Sequence, residues 1–233
     1  MARAASRPSS AAFVLHSHDW SESSLILDLF TRDHGRVVAV AKGAKRPYSQ
    51  LRPVLMPFQR LAVGFGVKRS DDAEVWLLRH AEWAGGPAWP GGAALLPGFY
   101  LNELLMRLLA RHDAHPALFD AYAQALQAMA DPNLLQAALR AFEMALLRQL
   151  GHLPDLSLLT VDGQAVRAGQ LYELHPELGV CRARGQADMP LLDGAVLCQL
   201  EAALSAGGEA GRAGFTMAVP AMASLMAASV PVL

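Results

Sequence analysis

Two hydrophobic periods divide the chain: apolar residues recur every second position before about residue 83, and every third or fourth after about residue 98. Ala12–Trp20 (AFVLHSHDW) opens with apolar residues at 13, 14 and 15 and then turns polar, which predicts a first strand. In Glu22–Thr31, Leu25, Leu27 and Leu29 fall on one face and Ile26, Asp28 and Phe30 on the other. Asp33-His34-Gly35 predicts a turn, and Arg36–Ala41 (RVVAVA) a third strand completing a hairpin. Lys42–Pro57 holds Gly43, Pro47, Pro53 and Pro57, so it is neither a continuous helix nor a central strand; a long, exposed, basic connection is expected. From Phe58 alternation resumes, with Leu61, Val63, Phe65 and Val67 facing one way. Arg60, Ala62, Gly64, Gly66 and Lys68 face the other, a small cationic face that a flexible polyanion is expected to approach closely. Ser70-Asp71-Asp72 marks a turn before a fifth strand, Glu74–Glu82.

Five short strands with a long loop between the third and fourth fit a small closed barrel of the OB type. Trp83–Gly98 is punctuated by Gly and Pro and marks a boundary. Beyond it Leu101, Leu104, Leu105, Leu108 and Leu109 form a helical stripe. His115–Met129 predicts a second helix, with Leu118, Phe119, Tyr122, Leu126 and Met129 inward. Asp131-Pro132 reads as the start of a third, running to Leu150 and closed by Gly151 at the C′ position. Between Leu158 and Val180, including Gln170–Leu174, short strands or turns are expected, and Gly194–Ala206 predicts a last helix. The fold class is therefore mixed α and β, a five-stranded OB-type barrel followed by an α-helical C-terminal domain. Its expected parts are a flexible tail at 1–11, the barrel at 12–83, a linker at 84–97, a helical domain at 98–206 with a small irregular or β insertion near 154–193, and an apolar tail at 207–233.

Composition is that of a globular chain, 53% apolar and 18% charged, with Ala and Leu dominating after residue 93. Cys181 and Cys198 are too few for a disulfide framework or a self-contained zinc site, and two reduced thiols in a cytoplasmic protein are expected. The N-terminus has no apolar core of a secretory signal. Ala213–Leu233 is uncharged and long enough for a membrane span, but Pro220, Pro231 and the many Ala and Ser residues argue against an anchor. The glycine pairs match neither a P-loop nor GxGxxG. His16 and His18 would offer two metal ligands with no third nearby, so no metal and no cofactor are expected. Asp71 and Asp72 in a turn, and Asp19 and Glu22 beside Trp20, read as solvated acids. No catalytic constellation emerges.

Charge changes the picture most. Thr31–Arg69 carries nine Lys and Arg (Arg32, Arg36, Lys42, Lys45, Arg46, Arg52, Arg60, Lys68, Arg69) against the single acid Asp33, a local +8 in a chain of net charge −1. The remainder carries −9. Such concentration on strand-forming sequence points to a polyanion-binding face, the plain alternative being a solvated basic loop. Arg36, Lys42, Lys45, Arg46, Arg52, Arg60, Lys68 and Arg69 are the candidate phosphate contacts. Tyr48, Phe58 or Phe65 would offer a stacking face, although a barrel aromatic also serves as core and Phe65 points inward by its period.

Several motifs in order resemble the RecO family of bacterial DNA repair proteins: Ala12-Phe13-Val14-Leu15, Ser21-Glu22-Ser23-Ser24, Leu29-Phe30-Thr31 with His34-Gly35-Arg36, and Ala41-Lys42-Gly43-Ala44. Gly98-Phe99-Tyr100-Leu101-Asn102-Glu103-Leu104-Leu105, Leu118-Phe119-Asp120-Ala121-Tyr122, and Leu139-Arg140-Ala141-Phe142-Glu143 followed by Leu146-Leu147 extend the likeness over residues 12–153. The resemblance implies an OB domain and a helical domain that act without bond chemistry. It implies binding of single- and double-stranded DNA, annealing of complementary strands, and cooperation with single-strand-binding protein, RecR and, indirectly, RecA, in the cytoplasm at the nucleoid and not at a membrane. It places DNA contacts at Arg36, Lys42, Lys45, Arg46 and Arg52, and the C-terminal tail of single-strand-binding protein at Arg140. Two departures stand out. The stretch Pro154–Gly163 has no cysteine where many members carry a four-cysteine zinc module, and after Ala206 only Glu209 and Arg212 are charged where members usually end in a charged helix. A recombination mediator is thus the leading expectation, and a protein-interaction adaptor whose basic barrel binds acidic peptide tails is the alternative.

Overall fold

The computed structural model describes residues 9–66, 74–86, 92–175, 177–184 and 191–210, with side chains as far as Ser205. Val67, Lys68, Arg69, the turn at 70–72 and the apolar tail from 211 onward lie outside the described residues. Contacts divide the chain into two compact units, Met1–Phe119 and Asp120–Leu233.

In the first unit, β1 (Ser10–Asp19), β2 (Leu25–Thr31), β3 (Gly35–Ala41), β4 (Arg60–Phe65) and β5 (Val75–Trp83) close into a barrel of order β1-β2-β3-β5-β4. Its pairings are antiparallel except β3 with β5. Strand β1 serves two neighbours: Ser10–Phe13 pairs with β4, and Ala12–Asp19 with β2 across a register shift between Val14 and His16. Such a shift bends a strand and raises its twist, as closure of a small barrel requires. Ala12, Val14, Leu27, Leu29, Val37, Ala39, Leu61, Val63, Leu78 and Ala81 fill the interior. The alanines keep the narrow lumen from overfilling.

The alternation of β2 predicts only one buried face, yet Phe30 on the other is also fully buried. It meets Phe119 at 5.4 Å between ring centroids, and Phe13 of β1 meets the same ring at 5.2 Å. The outer wall of the barrel is therefore a second packing surface. Two helical elements cover it in this unit: α1 (Leu95–Leu108) and the first turn of α2 (Pro116–Ala128). Asn102 of α1 is buried and donates from Nδ2 to the Leu15 carbonyl at 2.9 Å, satisfying a polar group that helix packing would otherwise strand. Gly98 lets the ring of Phe58 approach, since a Cβ there would sit 3.0 Å from it.

The second unit pairs the rest of α2 with α3 (Leu135–Gln149), with Tyr122 against Phe142 at 5.9 Å. Ala137, Ala138 and Ala141 of α3 are buried, so its backbone packs closely. A three-stranded sheet of order β7-β6-β8 follows, from β6 (Leu171–His175), β7 (Gly179–Arg182) and β8 (Leu191–Asp193). Helix α4 (Gly194–Ala210) is capped by Asp193, whose Oδ1 accepts the Ala195 N–H at 2.7 Å.

Both ends of α3 have a physical account. Gly151 adopts φ +78° and donates to the Arg148 carbonyl, while His152 donates to that of Leu147, the bonding of a Schellman stop. The start corrects the sequence expectation. Asp131 Oδ1 accepts from Asn133 N at 2.9 Å within a turn, and the helix begins at Leu135 without a side-chain cap. Asp131 supplies a turn because its carboxylate reaches a backbone N–H two residues on, before any helical bond forms.

Candidate nucleic-acid interface

The connection between β3 and β4 carries the charges. It is a chain of tight turns: Arg46 N–H donates to the Gly43 carbonyl, Ser49 to that of Arg46, and Val54 and Leu55 to that of Leu51. Gly43 lies at φ +71°, a backbone region that excludes most side chains. Ala44 and Leu55 are buried in the barrel core, and Leu51 and Val54 pack against it. The expected exposed connection is thus corrected to a two-sided one, with an apolar side plugging the barrel and a charged side in water. Four apolar residues spaced irregularly among prolines have no period, which is why the plug escapes a pattern-based reading.

On the outer side, Lys42, Arg46 and Arg52 are exposed, and no carboxylate among the described residues pairs with them. Tyr48 stands between them in sequence, 95% exposed, and with Pro47, Ser49, Gln50, Arg52, Pro53 and Met56 lines an open shallow concavity. Exposed guanidinium and ammonium groups on a loop that also exposes an aromatic ring suit a polyanion with flat π-faces.

The other predicted contacts are placed differently. Lys45 Nζ lies 2.9 Å from the Asp19 carboxylate and donates to the Ser21 carbonyl at 3.2 Å, while its backbone N–H donates to Ser23 O at 3.0 Å. It fastens the basic loop to the β1–β2 turn. Arg36, half-buried on β3, donates to the carbonyl of Met106 in the last turn of α1, where a cation complements the helix dipole. Its own carbonyl accepts from His112 N at 2.9 Å. Arg60 is half-buried at the start of β4, and its carbonyl accepts from Ala84 N. Lys68 and Arg69 are outside the described residues. Arg140 is exposed on α3 and paired with Glu143 one turn along.

The small face of β4 is corrected as well. A Cβ at Gly64 would lie 1.9 Å from His80 Cε1, and one at Gly66 2.8 Å from Arg79 Nε. The glycines make room for side chains of β5 and leave no open track along the backbone. Of the three candidate stacking rings, Phe58 is buried against Phe99 at 5.0 Å, and Phe65 packs edge-on against Trp76 at 4.7 Å. Only Tyr48 of the three presents its ring to solvent. Sequence reasoning passed over Trp20, 63% exposed in the turn that Lys45 grips. An indole in an otherwise polar turn was the available signal, hidden by the acids on either side.

His16 and His18 stand with rings 4.2 Å apart, and among the described residues no group of three or more His, Cys, Asp or Glu comes together to hold a metal ion. Cys181 and Cys198 are free thiols. No described helix is long and apolar enough to cross a membrane.

Comparison with known proteins adds an independent finding. The family model described as Recombination protein O N terminal matches residues 6–76, and the one described as Recombination protein O C terminal matches 92–212. The DNA repair protein RecO of Polaromonas naphthalenivorans (strain CJ2) is 53% identical over 195 residues, covering 83% of this chain and 76% of that protein. That of Albidiferax ferrireducens is 51% identical over 195 residues, with 83% and 76% covered. That of Variovorax paradoxus (strain S110) is 48% identical over 225 residues, covering 94% of this chain and 83% of the relative.

Proposed function

The chain belongs to the RecO family of DNA repair proteins, and on that footing we propose that it binds single- and double-stranded DNA through the outer side of its β3–β4 loop, anneals complementary strands, and does so without catalysing bond chemistry. The observation that carries this is the set of Lys42, Arg46 and Arg52, exposed and paired with no carboxylate among the described residues, on a loop that also exposes Tyr48 and is anchored in the barrel. Phosphates meet the three cations, and the Tyr48 ring offers a face to a base. Lys68, Arg69 and Arg60 extend the same basic stretch toward and beyond β4. Arg36 and Lys45 contribute by holding the surface in shape, Arg36 through α1 and Lys45 through the β1–β2 turn.

In this reading residues 12–83 are the DNA-binding domain. Residues 98–206 meet partners: the acidic tail of single-strand-binding protein at Arg140, RecR, and through them RecA at the nucleoid. Titration of a labelled oligonucleotide with this protein alone, at ~0.1 M salt where the Debye length is about 10 Å, tests the core of it. Saturable binding is expected. An adaptor that uses its charge only for acidic peptides would give none. Strand annealing measured with and without single-strand-binding protein then tests the partner: Arg140→Ala is expected to lower annealing of coated strands while leaving that of naked strands unchanged.

A further inference from the structure

We propose that Trp20 is a stacking platform for an unpaired nucleic-acid base, held beside the basic loop by Lys45, so that it favours single strands over duplex. This rests on the nucleic-acid reading above. Strand β1 ends at Asp19 and β2 begins at Leu25, leaving five residues to reverse the chain. They do so tightly, with the Trp20 and Ser21 N–H groups both donating to the Ser24 carbonyl at 3.2 and 3.5 Å. Lys45 then clamps the turn from the basic loop by three contacts: its backbone N–H to Ser23 O, and its Nζ to Ser21 O and to the Asp19 carboxylate. The indole is therefore fixed on its backbone yet remains 63% exposed. An ordered tryptophan left in water forgoes the burial that large aromatics ordinarily gain, and stacking on a base recovers it.

Charge favours a polynucleotide as the occupant. Asp19 beside the indole is neutralised by Lys45, whereas Lys42 and Arg46, on either side of Lys45 in sequence, are exposed and pair with no carboxylate among the described residues. Phosphates on Lys42 and Arg46 would hold a strand at the loop that Lys45 fastens to this turn. Glu22 is exposed on the same turn and repels phosphate, which favours a base over the backbone at the indole. A duplex keeps its bases inside its own stack and has nothing to lay on the indole. Lys45 is thus a positioning residue whose loss acts through Trp20.

Fluorescence anisotropy of a labelled homopyrimidine strand and of a labelled duplex, with the same protein preparations, tests this. Trp20→Ala is expected to weaken single-strand binding about 5- to 150-fold, the range that base–aromatic stacking commands, with duplex binding unchanged. Trp20→Phe should restore most of the loss, and Lys45→Ala should cost much less single-strand affinity in the Trp20→Ala background than in the parent. Equal loss on both ligands, or no loss on the single strand as for an indole that docks a protein, would overturn the proposal while leaving the nucleic-acid reading intact. Failure of the unsubstituted protein to bind either ligand would overturn both.

Discussion

Glu201 gathers more of the second unit's polar bonding than its place in a helix suggests. Its carboxylate accepts from both terminal nitrogens of Arg148 at 2.8 and 2.6 Å, from the Leu156 N–H at 2.9 Å and from the Ser205 hydroxyl at 2.6 Å. Arg148 also donates to the Pro154 carbonyl, so the pair joins α3, α4 and the loop at 154–156. The Arg148 hydrogen bonds, helped by Ser205 and Leu156, outweigh burial and hold the Glu201 carboxyl down to about 2 from an ordinary 4.5. A depressed carboxylate contributes stability above its unfolded value and loses it as pH falls through the folded one. Glu201→Gln should therefore cost about 3 kcal/mol at neutral pH, and the gap in urea midpoint between the two proteins should shrink as pH falls from 5 toward 2. Gly35 is the other residue on which local geometry depends. It lies at φ +64°, and a Cβ would fall 1.7 Å from the Asp113 carbonyl oxygen. Gly35→Ala is expected to lower stability by roughly 2–4 kcal/mol in the same denaturation, through strain and displacement of the α1–α2 connection together.

Among the elements, the β3–β4 loop links folding to function most directly. Leu55 is buried in the barrel core, and beneath the charges it is one of four apolar anchors. Leu55→Ala should cost ~2–5 kcal/mol in denaturant unfolding and should also weaken oligonucleotide binding, because the cations would lose a fixed backbone. Strand and helix positions were legible where a period was complete. Leu27 and Leu29 inward on β2, Leu61 and Val63 on β4, and the stop at Gly151 all stand as the pattern implies. What escaped depended on a neighbour distant in sequence. Phe30 is buried because Phe119 crosses the outside of the barrel, and Gly64 is small because His80 lies over it. No local pattern records any of these.

For the whole molecule, charge separation is the governing feature: a net −1 hides a stretch of +8 and a remainder of −9. The sequence located that stretch, but not which cations are free. Arg36 and Lys45 are taken up by α1 and the β1–β2 turn, leaving Lys42, Arg46 and Arg52 exposed. That distinction arises only in the fold, because a lysine in an ion pair and a lysine in water are identical in sequence. Each phosphate contact on a single strand adds about −0.7 to the slope of log K against log salt. The most direct measurement is that slope for a single-stranded oligonucleotide, compared between the unsubstituted protein and Lys42→Ala/Arg46→Ala/Arg52→Ala. With three contacts removed, the slope should become shallower by about two units and affinity should fall at low salt. An unchanged slope and affinity would contradict the assignment of the β3–β4 loop as the DNA-binding surface.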